Sequence, residues 1–379
     1  MRKIDMIKWF GRPYGAALEK LGGNKSAQAR RSRRFSVQLT ASLTLVLVVL
    51  STLTWLKPVT GRAAAMPLSC EEFAFSTEED FVTQGPTPPD GNPIISDGDL
   101  LDKNCAVCAR NYDLVGPFDI SADVNLGLDA VDVVDASTSL VAFSTELDSP
   151  NVGQFSAGDL LATNGTIIAN VALTYLFSLG YDIGLDGVHF VGDKDQIVAF
   201  LEEASQKSRN DWLQNPGDLA QMLVQYEIDI WFSTEGTSPT VTTLGFLDGD
   251  LLSAATGAII AQNSALLPAS VPAGIPTRGV DFGLDAVASG RVEDVASLRF
   301  STEILYESDP IAFTDGDVLE YGTGAIVHTN WDLVGCFEPA AKELGLDALH
   351  TAPTTLDNQS FLPLILKNFI DAVKQLFNN

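Results

Sequence analysis

The sequence predicts an all-β fold, a closed β-propeller of four blades, or of five with one degenerate. Three observations predict it. Phe-Ser-Thr-Glu recurs with its Phe at 75, 143, 232 and 300. Each copy is followed in fixed order by an Asp-Gly-Asp-Leu-Leu type string ("DGDLL" 97–101, "AGDLL" 157–161, "DGDLL" 248–252, "DGDVL" 315–319) and by "GLDA" or "GLDG" at 127, 184, 283 and 345. The first Phe-Ser-Thr-Glu copy has no GLDA segment before it, and the last GLDA segment has no Phe-Ser-Thr-Glu copy after it. A ring uses that mismatch, because the last strand completes the first unit and leaves no open edge. A linear solenoid would need capping units instead.

Within a unit the pattern is β. In "LRFSTE" Leu298 and Phe300 fall on one face and Arg299 on the other, the period-2 alternation of a strand. The Asp-Gly strings mark turns. "GTIIAN" (165–170), "GAIIAQN" (257–263) and "GAIVHTN" (324–330) suit buried strands, and "GLDAVDVVD" (127–135) starts another. About four short strands per unit suits a blade. One gap is too long. From Asp186 to Phe232 there are 46 residues, against 14 or 15 elsewhere. "QIVAFLEE" (196–203) and "PGDLAQ" (216–221) fit a decayed fifth unit, while Ile197, Phe200, Leu201 and Ala204 fit an amphipathic helix equally well.

The repeat domain spans 70–353. Ahead of it lie a basic segment (1–34), an uncharged apolar segment (35–56) and a linker (57–69). The apolar segment is long enough to cross a bilayer. The basic residues before it predict a cytoplasmic N-terminus. "AAA" at 63–65 offers a cleavage site near Ala65. Two localisations follow: a single-pass membrane protein with the repeat domain outside, or a secreted one. From Met66 onward there are 11 basic and 47 acidic residues, a net of −36. Such a body attracts cations and excludes nucleic acid as a partner. The tail (354–379) carries a helical apolar stripe of Leu362, Ile365, Leu366, Phe369, Ile370, Val373 and Leu376.

The four cysteines, Cys70, Cys105, Cys108 and Cys336, predict disulfides in an exported chain, with three possible connectivities. Cys105 and Cys108 align with strand positions, and residues three apart on a strand face opposite ways. That disfavours a redox or zinc reading of this CxxC. A bond from Cys336 to any of the other three would staple unit four to unit one.

The carboxylates give the candidate chemistry. The Phe-Ser-Thr-Glu glutamates Glu78, Glu146, Glu235 and Glu303, the second-marker aspartates Asp99, Asp159, Asp250 and Asp317, and Asp97, Asp248 and Asp315 beside them are oxygen ligands spaced around glycine turns, as Ca²⁺ requires. The competing reading is that aspartates before glycine build turns and satisfy backbone amides. The GLDA aspartates Asp129, Asp186, Asp285 and Asp347 read as structural. No catalytic residue is assigned. His189, His328 and His350 sit in no metal or nucleophile motif. The expected function is a non-enzymatic binding or structural module of the cell envelope, with Ca²⁺ as the one candidate cofactor. Its partners would be the membrane through 35–56 if uncleaved, and an envelope protein or polysaccharide. The alternatives are a carbohydrate-active enzyme using glycosidase-type carboxylates, or a polysaccharide-binding module with Trp212, Trp231 and Trp331 on one face.

The unit is similar to tandem FSxE…GDLL…GLDAL repeats of exported bacterial proteins, over about 70–350, and that resemblance implies a surface or envelope location. The four-unit count and the Asp-Ala opening strand loosely resemble hemopexin-like four-bladed propellers, which would imply a cation or partner in a central channel. "FLPLILK" (361–367) resembles a short motif near the ends of some exported bacterial proteins.

Overall fold

The computed structural model describes residues 68–352, apart from 239–244, 277, 290–293 and 341–342. The basic segment, the apolar segment 35–56, the site near Ala65 and the tail 354–379 lie outside the described residues. Among the described residues no helix is long and apolar enough to cross a membrane.

The domain is mostly β, in four antiparallel sheets of four strands each. Along the chain the first repeat contributes β1 (Phe73–Phe75), the hairpin β2 (Phe81–Val82) and β3 (Ile94–Ile95), β4 (Leu100–Leu101) and β5 (Val107–Ala109). The second contributes β6 (Val131–Asp135), β7 (Leu140–Phe143), β8 (Leu160–Ala162) and β9 (Thr166–Ile168). The third contributes β10 (Val188–Val191), β11 (Asp229–Phe232), β12 (Leu251–Ser253) and β13 (Ile259–Ala261). The fourth contributes β14 (Val287–Ser289), β15 (Leu298–Phe300), the hairpin β16 (Tyr306–Ser308) and β17 (Ile311–Phe313), β18 (Val318–Glu320) and β19 (Ile326–His328). β20 (Leu349–Thr351) ends the described chain.

Sheets two, three and four run β6-β7-β8-β9, β10-β11-β12-β13 and β14-β15-β18-β19. The first runs β20-β1-β4-β5, so its leading strand comes from the far end of the chain. Phe73 pairs with Thr351 and Phe75 with Leu349. The four leading strands also touch in sequence: β20 lies against β6 and β14, and β10 lies against β6 and β14.

The inner strands of each sheet are buried on both faces, which is why they are nearly continuous apolar runs rather than half-polar ones, whereas the outer strand β19 is exposed at Ile326 and Val327. Phe73 and Phe75 face a core shared with Val318, Ala286 and Ala288 of the fourth repeat, while Ala74 faces one shared with Val131 and Phe143 of the second. Second and third sheets share a core around Ile168, Phe190 and Phe232, and third and fourth share one around Leu251, Leu284 and Phe300. The four Phe-Ser-Thr-Glu phenylalanines are wholly buried, and burying each stabilises the fold by about 2–3 kcal/mol.

The long gap is helical, which removes the degenerate fifth unit. It holds α3 (Lys194–Ala204), α4 (Arg209–Gln214) and α5 (Asp218–Tyr226), following α1 (Asn111–Val115) and α2 (Asn170–Leu173). Asp193 caps α3 by accepting from the Asp195 and Gln196 amides. Ile197, Phe200, Leu201 and Ala204 form its buried stripe, and Trp212 of α4 is wholly buried in the same core. The 3.6-residue period won over the repeat register because the insert packs one face onto the second and third sheets. α6 (Asn263–Leu266) and α7 (Asn330–Val334) complete the α-helices among the described residues.

Two disulfides are formed, Cys70–Cys108 and Cys105–Cys336. Adjacent members of the CxxC thus have different partners, and Cys336 joins the fourth repeat to the first.

Candidate functional site: two sets of repeated carboxylates

The repeated carboxylates fall into two groups with different surroundings. The second-marker aspartates are spent on backbone. Asp99 accepts from the Ser96 and Asn111 amides, Asp159 from Ser156 and Asn170, Asp250 from Leu247 and Asn263, and Asp317 from Thr314 and Asn330, all at 2.8–3.1 Å. Each clamps its own turn to the first residue of the short helix after the outer strand. Two of them gain an arginine as well. Arg110 Nη1 lies 2.6 Å from Asp99, and Arg209 of α4 is paired with Asp159, so the helical insert is pinned to the second repeat. These four are buried, and both oxygens of each are engaged by backbone amides. Their neighbours are also engaged: Asp97 accepts from Asn125, while Asp248 and Asp315 stand beside the carboxyls of Asp281 and Glu343.

The aspartates read as structural from sequence are the ones that meet the glutamates. Within each sheet the Glu of Phe-Ser-Thr-Glu folds over the glycine of GLDA: Glu78 over Gly345, Glu146 over Gly127, Glu235 over Gly184 and Glu303 over Gly283. These glycines have φ between 64° and 87°, a conformation open to glycine, and a Cβ there would collide with the glutamate. Each glutamate then addresses the GLDA aspartate of the neighbouring sheet. Glu146 stands beside Asp347 and Glu303 beside Asp186. Glu235 acts most strongly on Asp129, and Glu78 on Asp285.

The four aspartates are buried at 5–9% exposure. Burial, then the neighbouring carboxylates, pushes Asp129, Asp186 and Asp285 well above the usual carboxylate range and Asp347 up to about 10. Burial and the charges of Asp315, Glu79, Glu146 and Glu303 push Glu78 up to about 7. Few donors relieve them. Ser144 and Ser301 donate to Asp129 and Asp285, but Oδ2 of Asp186 and of Asp347 receives no N–H or hydroxyl. Oxygens of Asp129, Asp186 and Glu235 lie within 4.8 Å of one another.

The Ser and Thr of the motif have separate tasks. Each Thr hydroxyl donates to a carbonyl two residues on (Thr77 to Glu79, Thr145 to Leu147, Thr234 to Gly236, Thr302 to Ile304), fixing the turn that aims the glutamate. Three serines donate to the GLDA or GLDG leucine carbonyl of the neighbouring sheet: Ser76 to Leu128, Ser144 to Leu185, Ser301 to Leu346. Ser233 has no partner. It faces Gly187, where the other repeats carry Ala130, Ala286 and Ala348, and a Cβ on Gly187 would lie 2.6 Å from its Oγ.

A further set breaks the repetition. Three residues after each GLDA or GLDG aspartate stand Asp132, His189, Ala288 and His350. His350 Nδ1 lies 2.8 Å from Asp132 Oδ1, and His189 Nδ1 lies 3.4 Å from Oδ2, which also accepts from the Phe190 amide at 2.6 Å. Burial opposes ionisation of Asp132, but the hydrogen bonds and charges of both histidines outweigh it and hold the carboxyl below the usual range. This buried bridge ties β6 to β10 and β20. Aligning the repeats by their GLDA segments would have revealed it; a search for contiguous motifs did not. His328 instead stands edge-on to Phe73.

The three tryptophans do not share an open face. Trp212 and Trp231 are buried, and Trp331 is 56% exposed. Comparison with protein families, curated proteins and solved structures finds no significant match.

Proposed function

We propose that this chain is a non-catalytic module of the cell envelope, whose four sheets are the blades of a closed four-bladed propeller displayed outside the cytoplasm. The carrying observation is that the first and last repeats are joined twice, by β20 pairing with β1 and by Cys105–Cys336. Cores shared between successive sheets and between the fourth and the first support the same arrangement. Two disulfides suit an oxidising compartment, reached as a membrane anchor through 35–56 or after cleavage near Ala65. The carboxylates recur in equivalent places in every repeat, whereas glycoside hydrolysis needs one special pair flanking the scissile bond. An envelope protein is favoured over a polysaccharide as partner, since two of the three candidate tryptophans are buried.

Non-reducing peptide mapping of the protein isolated from its native envelope fraction tests the reading. The expected product is the Cys105–Cys336 cross-link. Four free thiols, or a repeat domain confined to the cytoplasm, would remove it. Replacing Cys105 and Cys336 together by Ala should cost about 4 kcal/mol of stability.

A further inference from the structure

We propose that the junction of the second and third sheets is a Ca²⁺ site, with Asp129, Asp186 and Glu235 as its carboxylate ligands. Oxygens of all three lie within 4.8 Å of one another. Ligands about 2.4 Å from one Ca²⁺ stand at most about 4.8 Å apart, and the three oxygens meet that limit for sharing a single ion. The donor set is three carboxyl groups, all oxygen, which selects a hard cation over zinc or copper. Irregular geometry across two sheets suits Ca²⁺ better than Mg²⁺, which demands a near-ideal octahedron.

The carboxylate cluster alone would not make a site, since buried acids also share protons. A separate observation points to a ligand here. Asp186 is 95% buried and its Oδ2 has no donor. Buried polar atoms are nearly always satisfied, and an orphaned carboxylate oxygen in this cluster is accounted for by a cation or by water held on it.

The site lies between the second and third sheets and uses neither disulfide nor ring closure, so its failure would leave the propeller reading intact. It also differs from the turn aspartates around the glycine loops, whose oxygens are engaged by backbone amides.

The test uses the full chain, stripped with chelator and titrated with CaCl₂ by calorimetry and thermal unfolding. The expected result is one strong site and a Tm raised by about 5 °C or more at saturating Ca²⁺. Asp186→Asn and Glu235→Gln should each weaken binding at least about tenfold. In chelator both variants should melt no lower than the parent, because each removes an acidic group from a crowded carboxylate cluster. A merely structural aspartate would lower Tm with and without Ca²⁺. Asp97→Asn, in a turn of the first repeat, should bind normally. Should Asp186→Asn fail to fold, Glu235→Gln decides, since Glu235 is exposed. Absence of heat and of any Tm change would mean that shared protons alone neutralise the cluster. Unchanged affinity in Glu235→Gln, or loss of binding in Asp97→Asn, would place the ion elsewhere. Any of these overturns the proposal.

Discussion

Two sets of aspartates recur with equal regularity, yet the chain treats them in opposite ways. Asp99, Asp159, Asp250 and Asp317 each receive two backbone amides, and two of them an arginine. Asp129, Asp186, Asp285 and Asp347 are also buried but face other carboxylates. The difference teaches that repetition alone does not mark a structural residue. What marks it is whether its hydrogen-bonding capacity is filled from within its own unit. The first set closes local turns and is self-sufficient. The second depends on something supplied from outside the pair, either a proton or a cation.

Five substitutions sharpen this contrast. The largest effect is expected from Asp159→Ala, which orphans two amides and the Arg209 guanidinium; denaturant unfolding should show a loss of about 4 kcal/mol. Next is Asp132→Asn, which breaks the bridge between β6, β10 and β20 and should cost about 2–3 kcal/mol near neutral pH. Because that carboxyl is held below its usual range, its contribution is present above pH about 4 and is lost as the pH falls further. The gap between parent and variant should therefore narrow in acid; a gap that widens there would contradict the bridge. Smaller still, Ser301→Ala should cost about 1 kcal/mol for a cross-sheet hydrogen bond, and Ser233→Ala close to nothing. Equal losses at the two serines would deny that Ser233 differs.

Glu78→Gln should also have a small effect, because this side chain is exposed and its interactions are screened. Its carboxyl is raised from 4.5 to about 7. The folded state thus holds a proton that the unfolded state has lost, and stability declines as pH rises through that interval. With chelator present, the parent should melt higher at pH 5 than at pH 8, and the variant should show a smaller difference. An unchanged difference would assign the pH dependence to other groups.

Much of the local structure was legible. The alternation in "LRFSTE" appears as β15, with Leu298 and Phe300 buried and Arg299 half-buried. The missing partner of the first Phe-Ser-Thr-Glu strand is β20. Cys105 and Cys108 take different partners as expected, but not for the expected reason: only Cys108 lies on β5, while Cys105 sits in the turn before it with φ 65°, so the turn rather than strand alternation aims the two sulfurs apart. The helical stripe at Ile197, Phe200 and Leu201 was visible as one of two periods that fit, and packing decided between them. The carboxylate site was harder to read. Glu235 meets Asp129 across a sheet boundary, and no period within one repeat encodes which neighbouring sheet a side chain reaches. His189 and His350 were hidden for the same reason, since their partner Asp132 lies 57 and 218 positions away. What could have exposed both is the column of residues in equivalent places, Asp132-His189-Ala288-His350, where identical repeats stop being identical.

The pairing of Phe75 with Leu349 also sets an order of assembly. The second and third sheets draw all their strands from neighbouring sequence, so they can form while the chain is still being made. The first cannot, because β1 emerges early and its partner emerges almost last. Until then β1 presents an unpaired edge able to recruit strands from other chains. A polypeptide terminated ahead of Leu349 would carry that edge permanently, and self-association rather than simple instability is the fate it faces.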